Sequence, residues 1–316
     1  MKTWLITGGC GFIGSHLADR LVRAKDRAIV LDDLSSGRAD NLPPGAEFVK
    51  GDIRDAALVG RLMREADGCF HLAAIASVAR SNEDWAGTHA VNLTGTINIF
   101  DAAARARPDA RKVRVVYASS AAVYGDCPDM PLVEAAPTKP LTAYGADKLG
   151  CELHGRVADY VHGVPNVGLR FFNVYGPRQD PASPYSGVIA IFAKAVLEGR
   201  TPRVLGDGKQ IRDFIFVDNV VDALVAAMRH DELRCDVFNV CTGRSTSIEA
   251  LARLLAEACG APPKIDYGPA RSGDIRESLG DPTRLRSALG VTAGVTVADG
   301  MRRTLEWMRG GAPAKA

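Results

Sequence analysis

The run Thr7-Gly8-Gly9-Cys10-Gly11-Phe12-Ile13-Gly14 follows the short apolar stretch Thr3-Trp4-Leu5-Ile6 near the start of this chain. A glycine stands at every third position, between a strand-like segment and a helix-like one. Glycines permit a tight turn, let the backbone approach a ligand and let the helix pack close to the strand. The free N–H groups and the dipole at a helix start attract phosphate. The run therefore predicts a site for a dinucleotide pyrophosphate on the first helix.

An acidic residue at the end of the next strand extends this prediction. The segment Ile29-Val30-Leu31 ends in Asp32, eighteen residues after Gly14. A carboxylate at this distance can accept hydrogen bonds from both ribose hydroxyls of an adenosine and would repel a 2′-phosphate. We therefore expect NAD rather than NADP as the cofactor. The alternative is that Asp32 is a solvated acid in a loop.

The composition argues against several classes of function. The chain has 316 residues, of which 47% are hydrophobic, and a net charge of +2 without a block of basic residues. We expect no binding to nucleic acid or to a membrane, because charges interrupt every apolar run. The N-terminus already resembles a first strand, so no signal peptide is expected. Seven scattered cysteines without a CxxC pair favour reduced thiols in a cytoplasmic protein and argue against a zinc site.

The order of strand-like and helix-like segments predicts an α/β protein. Residues 1–172 alternate between the two, with strands expected at 2–7, 28–31, 47–50, 69–72, 113–118 and 167–172 and helices at 12–24, 55–65, 81–107 and 142–160. This alternation is typical of a doubly wound parallel sheet, the Rossmann fold. Residues 173–308 are richer in Gly and Pro, with helices expected near 187–198, 218–229 and 247–258. They predict a smaller C-terminal α/β substrate lobe, interleaved with the first domain. Residues 309–316 are expected to be a disordered tail.

Two residues on one predicted helix suggest acid–base chemistry. Tyr144 and Lys148 stand four residues apart, so they share one helix face. A nearby ammonium favours the ionised form of a phenol, and the positive nicotinamide ring of NAD⁺ acts in the same direction. Such a tyrosinate can be a general base for a sugar hydroxyl. The pair alone is also compatible with chance on a solvated helix.

A pair of serines, Ser119 and Ser120, follows the predicted strand 113–118. A serine at the carboxyl end of a central strand lies over the crevice of an open sheet. It can share a hydrogen bond with the substrate oxygen that Tyr144 deprotonates. Either serine alone would be an ordinary turn residue. Together with Tyr144 and Lys148, one of them completes a candidate catalytic triad.

These features resemble the extended short-chain dehydrogenases/reductases, and within them the UDP-glucose/UDP-N-acetylglucosamine 4-epimerases. The resemblance covers nearly the whole chain and depends on an ordered set of short stretches: Thr7–Gly14, Leu31–Gly37, Gly51–Ile53, His71–Ala74, Val91-Asn92, Ser119–Gly125, Tyr144–Lys148, Arg170–Arg178, Gly206–Gly208, Arg212–Phe214 and Arg271–Asp274. Any one of these stretches is modest evidence, whereas the ordered set is specific.

The resemblance implies a role for many single residues. Ser120, Tyr144 and Lys148 would be catalytic. Cofactor contacts, shared by Tyr144 and Lys148, would come from Gly8, Gly11, Phe12, Ile13, Gly14, Asp32, Asp33, Ser36, Gly37, Asp52, Ile53, Leu72, Ala73, Ala74, Asn92 and Phe171. Substrate contacts, shared by Ser120 and Tyr144, would come from Asn173, Val188, Arg212, Arg271, Asp274 and Ser278. Arg212 and Arg271 would clamp the diphosphate, unless they are solvated surface charges. We interpret His71 as structural.

One departure from related families decides between reactions. Nucleotide-sugar 4,6-dehydratases have Asp-Glu after the catalytic hydroxyl residue, and decarboxylases of the group keep the glutamate, whereas this chain has Ala121-Ala122. Both reactions would therefore lack a proton carrier. An epimerase needs none, because Tyr144 takes the 4-hydroxyl proton while the C4 hydride passes to NAD⁺, and both return after the sugar turns around its diphosphate.

The sugar itself is less well defined by the sequence. In glucose-restricted relatives a tyrosine lies seven residues after the arginine that corresponds to Arg271, and this chain has Ser278 there. The smaller side chain leaves room for an N-acetyl group, unless the local alignment slips and Ser278 is only a loop serine. Asn173 argues against a uronic acid, because uronate epimerases favour threonine there. We expect UDP-glucose and UDP-N-acetylglucosamine as substrates, without a preference between them.

Two further expectations concern assembly and alternatives. Segments 85–107 and 144–162 correspond to the helices of a dimer seam in relatives, and we expect a homodimer; their apolar residues Val91, Ile97, Ile99 and Leu153 also suit an intramolecular core. The alternatives to a UDP-hexose 4-epimerase are an enzyme of the family acting on UDP-uronates, dTDP-sugars or GDP-sugars, and a non-catalytic NAD-bound sensor.

Overall fold

The computed structural model describes residues 1–107, 112–181, 187–270 and 275–310. The strands of its main sheet, in chain order, are β1 (Thr3–Thr7), β2 (Arg27–Asp32), β3 (Glu47–Lys50), β4 (Gly68–His71), β5 (Arg114–Ser120), β6 (Asn166–Phe171) and, much later in the chain, β10 (Cys235–Val240). Between the first six of these lie α1 (Phe12–Arg23), α2 (Ala56–Glu65), α3 (Val78–Glu83), α4 (Trp85–His89), α5 (Gly95–Arg105) and α6 (Ala143–His162).

In the described part of the chain, these seven strands form one sheet in the order β3-β2-β1-β4-β5-β6-β10, and every neighbouring pair is parallel. Successive side chains of a strand point to opposite faces, so Leu5 and Ile6 of β1 belong to different cores. The Leu5 face packs against α2, α5 and α6, and the Ile6 face against α1 and later helices. Helices on both faces confirm the predicted doubly wound sheet.

The later residues build a second, smaller lobe and also return to the sheet. The elements after β6 are β7 (Asn173–Tyr175), α7 (Val188–Leu197), β8 (Arg203–Leu205), β9 (Ile211–Phe216), α8 (Val217–Arg229), β11 (Ser245–Ser247), α9 (Ile248–Ala258), β12 (Asp266–Gly268), β13 (Glu277–Ser278), α10 (Thr283–Leu289) and α11 (Val297–Arg309). Strand β9 pairs with β7, β11 and β13, while β8 pairs with β12. Helix α8 and strand β10 pack into the core of the main sheet.

One predicted helix is wrong. The sequence predicts a single helix over 81–107, but the structure divides this stretch into α3, α4, a π-helical turn at Ala90–Thr94 and α5. Asp84 causes the first break, because its backbone leaves the helical region and its carboxylate caps α4 by accepting from the Gly87 N–H at 3.0 Å.

The C-terminal helix and the apolarity of the helices bear on the predicted disordered tail and on membrane binding. Helix α11 runs through Arg309, the first residue of the predicted disordered tail, and residues 311–316 lie outside the described residues. Within the described ranges, no helix combines the length and apolarity needed to span a bilayer.

Candidate functional site

The glycine-rich turn joins β1 to α1 at the carboxyl edge of the sheet. Gly8 has φ +71°, and a Cβ atom there would lie 2.6 Å from the Ala73 nitrogen. A Cβ on Gly14 would collide with the carbonyl oxygen of Gly8. Helix α1 begins at Phe12 with no side-chain cap, so no capping side chain occupies the N–H groups of its first turn. We call this turn, Gly8 to Gly14, the glycine cradle. Its free N–H groups fit a pyrophosphate, and the residues therefore fit an NAD cofactor.

Asp32 ends β2 beside this cradle and is only 7% exposed. Its two carboxylate oxygens accept from the Cys10 N–H at 2.9 Å and the Leu34 N–H at 2.8 Å. Burial raises the pKa of this carboxyl group. Each oxygen keeps a second lone pair, so the carboxylate can still accept a ribose hydroxyl. The structure thus places Asp32 in a fixed, buried position, unlike the solvated loop acid considered from the sequence.

A chain of hydrogen bonds runs beneath the cradle and fixes His71 of β4. The Ala73 N–H donates to Thr7 Oγ1 at 3.3 Å, and Thr7 Oγ1 lies 2.7 Å from His71 Nδ1. On the other side His71 Nε2 lies 2.9 Å from Thr96 Oγ1, whose hydroxyl donates to the Asn92 carbonyl. Because that hydroxyl proton is already used, Nε2 must donate and Nδ1 must accept. Burial, with a smaller effect from Lys148, lowers the His71 pKa to about 3, so the ring is neutral.

The remaining predicted cofactor residues lie along the same edge. Asn92 is 1% exposed, and its amide binds both the N–H and the carbonyl of Ile75, which holds the loop after β4. Asp52 pairs with Arg54 at 2.6 Å, which lowers the Asp52 pKa. Buried positions are occupied by Ile53 and Phe171, half-buried ones by Gly11, Phe12, Ile13, Gly37, Leu72, Ala73 and Ala74, and exposed ones by Asp33 and Ser36. Their contacts with the cofactor stay predictions.

Helix α6 carries Tyr144 and Lys148 along the end of β5. Thr142 caps the helix by accepting from the Gly145 N–H, which fixes where the helix begins. The Lys148 side chain is 3% exposed, and its Nζ donates to the Ala118 carbonyl of β5 at 2.9 Å. The same Nζ lies 5.8 Å from the centre of the Tyr144 ring. The ammonium is therefore held beside a half-buried phenol.

The two serines at the end of β5 have different environments. Ser119 is 1% exposed, and its hydroxyl donates to Glu152 Oε1 at 2.5 Å. Ser120 is half-buried, and its Oγ accepts from the Ala122 N–H at 3.2 Å, which leaves its own proton for another acceptor. The geometry thus favours Ser120 as the serine that faces a substrate.

A buried ion pair behind these serines was not foreseen from the sequence. Glu152 receives two hydrogen bonds from Arg170 of β6, at 2.8 and 2.6 Å, and Arg170 also donates to the Tyr124 hydroxyl at 2.8 Å. Both charged side chains are less than 10% exposed. Glu152 lies one helical turn after Lys148, and Arg170 is a lone charge in an apolar strand. These two sequence features could have indicated the buried ion pair.

Three of the predicted substrate residues lie on strands that pair with one another, β7, β9 and β13. Asn173 opens β7, and its Nδ2 donates to the Asp213 carbonyl at 3.2 Å. Arg212 of β9 is half-buried and lies directly opposite Ser278 of β13 in the parallel register. Val188 opens α7. Arg271 and Asp274 lie outside the described residues.

Comparisons with known proteins agree with this geometry. Residues 4–241 match the model of the NAD dependent epimerase/dehydratase family. The chain is 42% identical to a UDP-glucose 4-epimerase of Mycolicibacterium smegmatis, over 98% of this chain and 99% of that protein. It superposes with a TM-score of 0.93 and 35% identity on a Thermotoga maritima UDP-glucose 4-epimerase solved with UDP-glucose, covering 98% and 99% of the two chains. A UDP-N-acetylglucosamine 4-epimerase of Methanobrevibacter ruminantium, solved with UDP-N-acetylmuramic acid, gives 0.92 and 34%, covering 98% of each.

Proposed function

Because the chain belongs to the NAD dependent epimerase/dehydratase family, we propose that it is an NAD-dependent 4-epimerase of UDP-hexoses, acting on UDP-glucose/UDP-galactose and on the N-acetylated pair. One observation carries the proposal: α6 brings Tyr144 and Lys148 to the carboxyl end of β5, where Ser120 lies. The same sheet edge holds the glycine cradle. His71, whose ring contacts Thr7 at the end of β1, links the two parts, because it lies on β4, the strand between β1 and β5.

The proton chemistry follows from these side chains. Tyr144 takes the proton of the sugar 4-hydroxyl and later returns it. Lys148 is fixed by the Ala118 carbonyl, which holds its ammonium 5.8 Å from the centre of the Tyr144 ring. Ser120 donates a hydrogen bond to the same sugar oxygen. The cofactor, when bound, supplies the acceptor and later the donor of one hydride at C4.

The absence of acidic residues beside Ser120 limits the reaction. Ala121 and Ala122 form the 3₁₀ turn that follows β5, and neither can carry a proton. A dehydration or decarboxylation would need such a carrier, so the bound 4-keto sugar can only take back the hydride and the proton. Asn173, Arg212 and Arg271 hold the diphosphate while the hexose turns.

Ser278 is the basis for including the N-acetylated sugars. It is half-buried and lies opposite Arg212, so its position is fixed relative to the diphosphate clamp. A serine there occupies far less volume than a tyrosine. The M. ruminantium relative is a UDP-N-acetylglucosamine 4-epimerase, which supports the wider pocket.

The test is a pair of turnover assays without added NAD. UDP-glucose and UDP-N-acetylglucosamine are incubated separately with the purified protein, and the 4-epimer is followed by NMR. We expect both to be converted, because a cofactor regenerated in each cycle stays bound. Tyr144→Phe is the control that keeps the bound cofactor and loses turnover. If neither sugar is converted even when NAD is supplied, the UDP-hexose assignment is wrong.

We also propose that the enzyme is a cytoplasmic homodimer. Its seven cysteines form no disulfide among the described residues, as suits a reducing compartment. The outer face of α6 exposes Leu153 (55%), Val157 (46%) and Tyr160 (93%), at positions that share one helix face. Ile97 of α5 is also exposed, at 36%, whereas Ile99 is fully buried in the chain's own core. An exposed apolar stripe of this kind suits a second copy of the chain.

Light scattering after gel filtration tests the dimer. Leu153→Arg places a charge in the stripe, and we expect the measured mass to fall to that of one chain. Arg253→Ala, at an exposed position of α9 away from the stripe, should leave the mass unchanged. A wild-type protein that has the mass of one chain would contradict the proposal.

A further inference from the structure

Asp213 is a completely buried carboxylate on β9 with no assigned role, in the short stretch Arg212-Asp213-Phe214. Its Oδ1 accepts from the Thr242 N–H at 2.8 Å and from the Thr242 hydroxyl at 2.7 Å. Its Oδ2 accepts from the Gly243 N–H at 2.8 Å. The donors are two backbone amides and one hydroxyl, all neutral. They suit a carboxylate, which only accepts hydrogen bonds.

These donors come from a part of the fold to which β9 does not belong. Thr242 and Gly243 follow β10, an edge strand of the main sheet, whereas β9 pairs with β7, β11 and β13. The Asp213 side chain therefore joins β9 to the carboxyl end of β10. It connects the main sheet to the smaller sheet that carries Arg212 and Ser278.

The predicted substrate residues lie around this point. Arg212 precedes Asp213 in the chain, and Ser278 pairs with Arg212 in the strand register. Asn173 donates its side-chain amide to the backbone carbonyl of Asp213 at 3.2 Å. A shift of the Asp213 backbone would thus move Arg212 and Ser278 and would break the contact with Asn173.

The donors themselves have little freedom to follow such a shift. Gly243 has φ +72°, and a Cβ atom there would lie 3.0 Å from Pro282. Cys241, which precedes Thr242 in the chain, packs against Gly280, where a Cβ atom would lie 2.6 Å from its sulfur. The backbone is packed closely on these sides, so the position of the carboxylate is set by its surroundings.

We propose that Asp213 is a positioning residue for the UDP-sugar: its carboxylate holds Arg212, Ser278 and Asn173 in the arrangement that binds the substrate. This inference rests on the proposed function. Since Asp213 lies on β9 and none of its described hydrogen-bond partners belongs to α6, it sets affinity and leaves the proton transfer at Tyr144 unchanged. A merely structural role would lower the folded fraction without changing the affinity of the folded enzyme.

Asp213→Asn is the informative variant, because it keeps the shape but turns an N–H group toward N–H donors. We expect the KM for UDP-glucose and the calorimetric Kd for UDP to rise about tenfold or more. The kcat should stay within about threefold and the amount of bound NAD should be unchanged. Thr242→Val removes one donor and should raise both constants by about threefold to fivefold. Asp222→Asn, an exposed α8 residue paired with Arg20, is the control.

The outcomes separate the two claims. A wild-type enzyme that binds no UDP overturns the proposed function and the role of Asp213 with it. If wild type converts UDP-glucose and the two variants keep its KM and Kd, the inference about Asp213 alone is wrong. If Asp213→Asn does not fold, Thr242→Val decides: a raised KM at normal kcat supports the proposal, and an unchanged KM overturns it.

Discussion

The two adjacent serines at the end of β5 offer a matched pair of alanine substitutions with opposite expected effects. Ser119→Ala removes a buried hydrogen bond of 2.5 Å to the Glu152 carboxylate. Ser120→Ala removes a half-buried hydroxyl that faces the candidate substrate position and accepts one backbone bond from Ala122. The first change therefore affects the packing of α6 on β5, and the second affects the reacting oxygen.

The magnitudes follow from the partners that remain. A hydrogen bond to a charged group contributes about 1.5–3 kcal/mol. Glu152 keeps both hydrogen bonds from Arg170 after Ser119→Ala, so we expect a loss near 1.5 kcal/mol and a Tm lower by about 2–5 °C. The kcat should change by less than about threefold. For Ser120→Ala we expect the kcat to fall by about 10²–10³, as for the loss of one donor to a developing oxyanion, with a nearly unchanged Tm.

Initial rates at saturating UDP-glucose, thermal unfolding and the bound NAD content are measured on both variants and on wild type. The bound NAD content separates a lost cofactor from a lost proton relay. The reasoning would be refuted if Ser119→Ala lost two orders of magnitude in kcat while Ser120→Ala kept normal turnover. Equal losses in both variants would also contradict it, because they would mean that the serines act as one unit.

Two other predictions concern pH and sugar size. The His71 pKa of about 3 lies below its ordinary value of about 6.5, so the unfolded chain binds a proton that the folded one does not, and stability rises with pH between these values. His71→Gln should reduce the difference between the urea midpoints at pH 5 and pH 7, and an unchanged difference would contradict the role of His71. Ser278→Tyr should lower kcat/KM for UDP-N-acetylglucosamine by about tenfold or more, with a small effect on UDP-glucose, because the phenol fills space beside Arg212. Equal effects on the two sugars, measured in parallel assays, would show that Ser278 does not face the 2-position.

Local sequence patterns were sufficient for most of the main sheet. The glycine run predicted the β1–α1 turn, and the predicted helix at 142–160 agrees with α6 within two residues at its end. Strand β10 could not be placed in this way, since its parallel partner β6 precedes it by more than sixty residues and only tertiary packing brings them together. The break at Asp84 was missed because a capping carboxylate competes with an otherwise helical pattern.

In the candidate site, too, residues close in sequence could be placed together from the sequence, and residues far apart could not. Tyr144 and Lys148 could be paired from helical spacing alone. The choice of Ser120 over Ser119 came from the family resemblance, and its physical reason, the bond of Ser119 to Glu152 on another element, is visible only in the structure. Arg212 and Ser278 are far apart in sequence, and only the register of β9 and β13 shows that they are neighbours.

Glu152 and Asp213, two of the buried carboxylates near the site, are neutralised in different ways, and this difference has a functional consequence. Glu152 is balanced by the Arg170 cation and fixes α6 to the ends of β5 and β6. Asp213 is balanced by neutral donors and fixes β9 to the end of β10. A 4-epimerase must keep the diphosphate fixed while the sugar turns before an equally fixed phenol. Separate attachments for the binding strand and the catalytic helix satisfy both needs. Substitutions that break the Glu152–Arg170 ion pair should therefore change kcat, which the loss of the Ser119 hydroxyl alone leaves nearly intact, whereas substitutions around Asp213 should change KM.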